Sequence, residues 1–145
     1  MFRVKDPEVS LKFYTEVMGM KLIKKAEMKE AEFDLYFLAY PEGNTNGKET
    51  KTNPQPDREG ILELTHNYGS EKKSGQVYHN GNDEPQGFGH ICVSVDDLNA
   101  ACERWESLGV NWKKKLTDGR MRHIAFILDP DNYWIEIVAN EALKQ

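Results

Sequence analysis

The sequence is poor in cysteine, with only Cys92 and Cys102 and nine residues between them. That spacing makes neither a disulfide framework nor a C-x-x-C site. Two free thiols fit a reducing compartment, and the ordinary role for each is that of a small buried hydrophobe. No apolar run approaches the ~20 residues of a membrane helix, and the opening MFRVKDPEVS lacks the apolar stretch of a secretory signal. Basic charge is not in excess. The 19 Lys and Arg stand against 24 Asp and Glu, a net charge of −5. This argues against nucleic acid or an anionic membrane as partner. The expectation is one cytoplasmic globular domain, since 145 residues suffice for a real core.

What the chain does contain is a plan stated twice. In DPEVSLKFYTEVMG, Asp6 can cap a helix with Pro7 at its first position. Leu11, Phe13, Tyr14, Val17 and Met18 form its apolar stripe, and Gly19 ends it. MKLIKKAEMKEAEFDLYFLAY alternates as two strands, roughly 20–30 and 32–40, with no Asn-Gly turn at their join. Residues 41–60 form a long polar loop. A strand over Ile61 to Thr65 follows, then a second long loop over 67–88. GHICVSVDDLNAACERWESLG restarts the plan with a strand, a cap at Asp96 or Asp97, and a helix striped by Leu98, Ala101, Trp105 and Leu108. VNWKKK, MRHIAFIL and YWIEIVAN supply three more strands. The simplest account is an internal repeat of a βαβββ unit. Module 1 covers about 1–66, the loop 67–88, and module 2 about 89–140.

Each unit's final strand carries an acid among apolar residues. Ile61, Leu62 and Leu64 surround Glu63, and Trp134, Ile135, Ile137 and Val138 surround Glu136. A bare carboxylate is costly in such a setting, and a lone strand glutamate is more often solvated or ion-paired. Here the same position recurs in both copies. Alternation puts Ile61, Glu63 and Thr65 on one face, and Trp134, Glu136 and Val138 on another. Units that curl the same way would point both acids into one cavity. His90 opens the first strand of the second unit, with Cys92 and Ser94 on its face. Two carboxylates and one imidazole suit a divalent metal with open positions. The cation would offset the burial of the acids and lower the barrier to an enolate-like anion. His66, His79 and His123 show no such spacing and are expected in loops or at strand ends.

The segments RVKDPEVSLKFYTEVMGMKL, FDLYFLAY, LELTHNYG, HNGNDEPQGFGHI and DPDNYWIEI together resemble the glyoxalase I family, in the vicinal-oxygen-chelate superfamily. The resemblance covers nearly the whole chain. It implies an α+β fold of two βαβββ modules, with sites formed between modules of paired chains and hence a homodimer. It implies a lyase that converts the methylglyoxal–glutathione hemithioacetal to S-lactoylglutathione. Glu63, His90 and Glu136 would hold Zn2+, with Ni2+ or another divalent metal possible, and Glu136 would also move the proton. Glu63 would come from one chain, His90 and Glu136 from the other. Arg3, Asn67, His90, Lys114, Arg120 and Met121 would bind the glutathione substrate. Met28, Leu35, Phe37 and Phe126 would line an apolar pocket, for which plain core packing is the bland alternative. For the lysine run at 113–115 it is a solvated strand edge.

Two positions depart from the family pattern. An arginine expected before GFGH is Gln86, which cannot pair with a carboxylate, so weaker thiol-substrate binding is expected. The family's fourth metal ligand falls two residues before the methionine matching Met1, so the first strand is expected to be cut short. An internal start, a natural short form and a catalytically weak or inactive binding relative all remain open at this point.

Overall fold

In the computed structural model, which describes residues 1–40 and 60–140, both helices start from an aspartate cap. Asp6 accepts from the backbone N–H groups of Glu8 and Val9 and starts α1, Pro7–Lys12. Asp97 accepts from Ala100 N at 3.0 Å and starts α2, Leu98–Ser107. Each cap satisfies N–H groups that a helix start leaves without a partner. The first helix does not stay α-helical up to Gly19. It widens into a π-helical turn over Phe13–Val17, beside which the Thr15 hydroxyl donates to Leu11 O at 2.8 Å. Such back-bonding bends helices, and no sequence period announces it.

The chain divides into two compact units, Met1–Tyr78 and His79–Gln145. The first holds β1 (Phe2–Arg3), α1, β2 (Lys21–Met28), β3 (Phe33–Ala39) and β4 (Leu62–Asn67). Its sheet runs β1-β4-β3-β2, with β1 parallel to β4 and the other pairs antiparallel. The second holds β5 (His90–Val95), α2, β6 (Asn111–Lys114), β7 (Ile124–Leu128) and β8 (Trp134–Ala139). Its order, β5-β8-β7-β6, and its strand senses are the same. The βαβββ unit expected from the sequence is therefore present twice. Even the register slips correspond, falling between Leu22 and Lys24 in one unit and between Trp112 and Lys114 in the other. The slips align two equivalent rows of strand partners, Lys24–Phe37–Glu63 and Lys114–Phe126–Glu136.

Alternation then separates core from site. Leu62 and Leu64 flank Glu63 and are buried; Ile135 and Ile137 flank Glu136 and are buried. Each such side chain contributes roughly 1.5–3 kcal/mol by leaving water. The acid between them points to the opposite face and is half-buried in both units.

Several expectations need correction. Leu108 was placed in the helix stripe but is exposed, because α2 ends at Ser107. The thiols were expected to be buried, yet Cys92 is exposed and Cys102 half-buried. Cys92 lies on β5, an edge strand whose alternate side chains face outward. The β2–β3 join is a 3-10 turn, Lys29–Ala31, closed by Glu32 in the left-handed region at φ 58°. The expected 41–60 loop lies, apart from Gly60, outside the described residues. β4 extends to Asn67, and Ser70–Lys72 form a 3-10 turn inside the segment expected as loop. His66 lies at a strand end, as expected; it is buried, and its Nε2 lies 2.9 Å from Glu71 Oε2.

Candidate functional site

In the second unit, two local structures aim the functional side chains. Ahead of β5, the Asn80 side chain accepts from Asn82 N at 2.8 Å and donates to Asn132 O at 3.1 Å. The Asn82 side chain donates to Gly89 O at 2.7 Å, which fixes the approach to His90. Gly81 is required there: its φ is 84°, and an added Cβ would lie 2.1 Å from Phe88 O. Ahead of β8, buried Asp129 accepts from the N–H groups of Asp131 and Tyr133, each at 2.9 Å. This side-chain turn, with Asn132 at φ 65°, sets the register in which Glu136 is presented.

On the resulting face, His90 Nε2 lies 3.2 Å from Glu136 Oε2. Their side chains are 39% and 21% exposed, enough to meet a ligand and too little for either group to be fully solvated. Phe126 is paired with Glu136 across β7 and β8. Its ring stands edge-on to the imidazole, with centroids 5.2 Å apart, and to Trp134 at 5.7 Å. Cys92 is directly opposite Glu136 on β5. Partial cover of the sulfur, then the neighbouring Glu136 charge, push the thiol pKa up.

The first unit presents a matching face. Glu63, Thr65 and Asn67 alternate along β4 opposite Phe37, Leu35 and Phe33 of β3. Met28 pairs with Phe33, and Arg3 is opposite Thr65 in the parallel register. Arg3, Met28, Leu35, Phe37, Glu63 and Asn67, singled out in the sequence, thus share one face. Phe37 is buried, Leu35 half-buried and Met28 exposed. Among the described residues Glu63 makes no ion pair. Asn67 Oδ1 and Thr65 Oγ1 are both buried without a hydrogen-bond partner among the described residues. An unsatisfied buried polar atom costs about 1–3 kcal/mol, so two on one strand face mark a place that accepts something polar. Thr65 was not among the sequence candidates. Its signal was its position two residues after Glu63, on the same side of the strand.

Lys114 behaves differently from a substrate cation. Its Nζ donates to Met121 O at 2.6 Å, Ile124 O at 3.1 Å and Lys115 O at 3.1 Å. It ties down the segment carrying Arg120 and Met121, which are themselves exposed, as is Gln86. Nor is the rest of the lysine run a bare solvated edge. Lys113 Nζ sits 4.7 Å from the Trp134 ring centroid, and Lys115 Nζ lies 2.8 Å from Glu106 Oε1.

An imidazole nitrogen and a carboxylate oxygen 3.2 Å apart on an open face can reach one divalent ion. Among the described residues no group of three or more His, Cys, Asp or Glu side chains gathers at one place. The pair therefore fits part of a donor set, and Glu63 is the acid at the corresponding position of the other unit. Among the described residues, no helix is long and apolar enough to cross a membrane.

Comparison with known proteins agrees with this fold. The family described as the Glyoxalase/Bleomycin resistance protein/Dioxygenase superfamily matches residues 1–137. The chain is 58% identical over 139 residues to a lactoylglutathione lyase of Schizosaccharomyces pombe, covering 95% of this chain and 43% of that one. It is 53% identical over 140 residues to a lactoylglutathione lyase of Pseudomonas putida, covering 95% and 81%. Among solved structures it resembles a glyoxalase I of Leishmania major, described as trypanothione-dependent, with a TM-score of 0.70 and 30% identity over 99% of this chain and 86% of that one. It also resembles glyoxalase I of Zea mays, with a TM-score of 0.68 and 30% identity over 94% and 41%. The chain thus spans less than half the length of the yeast and maize relatives and most of the bacterial and protozoan ones.

Proposed function

The chain belongs to the Glyoxalase/Bleomycin resistance protein/Dioxygenase superfamily, and from that premise we propose that it acts as a lactoylglutathione lyase. The substrate is the hemithioacetal of methylglyoxal and glutathione, and the product is S-lactoylglutathione. The observation that carries this reading is the His90–Glu136 pair, a half-buried carboxylate beside an imidazole on an open face walled by Phe126.

His90, Glu136 and Glu63 would hold a divalent metal, with zinc the first candidate and nickel the second. When bound, it supplies a positive charge that acidifies the carbon-bound proton and favours the enediolate. Glu136 takes that proton from one carbon and returns it to its neighbour, so the reaction is an isomerisation with no net loss of atoms. Phe126 excludes water on one side of the carboxylate, and His90 limits its rotation. Arg3 and Asn67, joined by Thr65, would hold the polar glutathione end. Arg120 and Met121 belong to a segment that Lys114 positions. Leu35 and Phe37 would form the apolar wall, with Met28 at its rim.

The proposed oligomer is a homodimer in which Glu63 of one chain meets His90 and Glu136 of the other. Two free thiols favour a cytoplasmic setting.

The test is turnover of methylglyoxal plus glutathione with added zinc or nickel, alongside metal analysis. Glu136→Gln is expected to cut kcat by at least about a thousandfold, as expected for removal of a general base with electrostatic duties, while the circular dichroism spectrum is unchanged. Retained turnover in that variant would remove Glu136 as the base. Ligand binding by the unmodified chain without metal uptake or turnover would instead make it a binding protein.

A further inference from the structure

We propose that Lys113 is a substrate-binding residue, the one lysine of the 113–115 run whose ammonium is left to meet a carboxylate of the glutathione moiety. The inference rests on the reading of the chain as a lactoylglutathione lyase. Plain alternation would put Trp112 and Lys114 on one face of β6 and Lys113 on the other. The register slip prevents this. Trp112 is opposite Ile127, a fully buried core residue, while Lys114 is opposite Phe126, itself the strand partner of Glu136. Lys113 has no strand partner, and this extra residue is where the strand changes sides. Its ammonium stands 4.7 Å from the centroid of the Trp134 ring. Trp134 is the strand partner of His90, alternates onto the face of Glu136 and packs edge-on to Phe126, so Lys113 reaches the site face. The three ammonium groups of the run then have different fates. Lys114 Nζ is taken by three backbone carbonyls and Lys115 Nζ by Glu106. Among the described residues, Lys113 Nζ has the indole ring and no oxygen acceptor. A ring holds a cation in place without neutralising it, which leaves the ammonium's donors for an anion. In the first unit the same slip falls at Ile23, so the equivalent position there is apolar. Glutathione offers two carboxylates. The one at the γ-glutamyl end has an ammonium on the same carbon, which a lysine repels. The glycine carboxylate has none, and it is the group assigned to Lys113.

Two measurements test the inference separately. Isothermal titration with S-hexylglutathione, a thioether that cannot turn over, reports the contact without reference to activity. Lys113→Met keeps the stem, removes the charge and should raise Kd about three- to tenfold, the loss of one partly exposed ion pair. The same ligand with its glycine carboxylate converted to an amide should bind parent and variant equally. Lys113→Arg, which keeps a cation over the ring, should stay within about twofold of the parent. Lys115→Met, whose ammonium is already held by Glu106, should match the parent. A parental Kd for Lys113→Met, or an equal loss with the acid and the amide, would overturn the contact. Steady-state kinetics on the hemithioacetal report the role. Lys113→Met should raise KM by the same factor with kcat within about twofold. A fall in kcat at unchanged KM would overturn the binding role. Absence of turnover in the parent would overturn the proposed function, while the titration would still decide the contact. No binding of either ligand by the parent would overturn both.

Discussion

Asp34 is buried on the face of β3 opposite the one that carries Leu35 and Phe37. The Tyr68 hydroxyl donates to its Oδ1 at 2.7 Å and the Tyr36 hydroxyl to its Oδ2 at 3.3 Å. Lys25 Nζ lies 3.2 Å from Oδ2. Burial alone would raise the Asp34 pKa, but the Tyr68 bond and then Lys25 outweigh it and hold the carboxyl below its ordinary value. The same bond is the first cause of the Tyr68 pKa being pushed up to about 12. A carboxyl whose folded pKa is depressed contributes stability at neutral pH and loses it as pH falls through the folded value. Asp34→Asn is therefore expected to lower unfolding free energy by about 1–3 kcal/mol at pH 7, measured by urea titration. The gap between variant and parent should begin to close near pH 4 and shrink further below the folded pKa. An equal gap at pH 7 and pH 3 would mean that packing, not charge, was lost. No local pattern could have revealed this network, because Asp34 and Tyr68 stand 34 residues apart. Glu63 and Glu136 were legible for the converse reason. Each breaks an apolar run within four residues of sequence, and the break recurs in the second copy.

At the scale of elements, residues that act through backbone chemistry could be read in advance, and those that act through neighbours could not. Asp6 and Asp97 cap as their positions require, and Gly19 takes φ 77° after the first helix. Edge position misled the reading of β5: its apolar letters suggest burial, but a strand with one partner exposes Cys92. Lys114 is the sharpest case. As one letter of KKK it looks solvated or substrate-binding, yet the strand slip after Trp112 brings its ammonium to three backbone carbonyls. Lys114→Met keeps the stem and removes the donors. Hydrogen exchange at the amides of residues 120–124 is expected to quicken by about tenfold or more, and substrate KM to rise more than kcat falls. If exchange is unchanged while KM rises, Lys114 contacts the substrate directly and the anchoring role is wrong.

The whole molecule poses a question neither unit answers alone, namely whether the face that carries Glu63 joins the face that carries His90 and Glu136 in one site. The repeat itself was visible in the sequence, and the two sheets confirm it strand for strand. What each site face is set against was not visible, because a sequence pattern fixes only which face an acid occupies. The proposed dimer makes a prediction that single-chain sites do not. Glu63→Gln and Glu136→Gln should each be inactive, since each removes a donor from every site. Mixing the two variants under conditions that exchange subunits should restore activity. In a mixed dimer one site receives both substitutions and the other receives neither, provided each site takes Glu63 from one chain and Glu136 from its partner. Random exchange should therefore recover about a quarter of the parental activity, because half the dimers are mixed and each has one intact site of two. Sites built within one chain would leave the mixture as inactive as its components, since every chain carries one lesion. Recovery that depends on the time allowed for exchange, and is absent when the variants are assayed immediately after mixing, would exclude residual activity in either variant as its source.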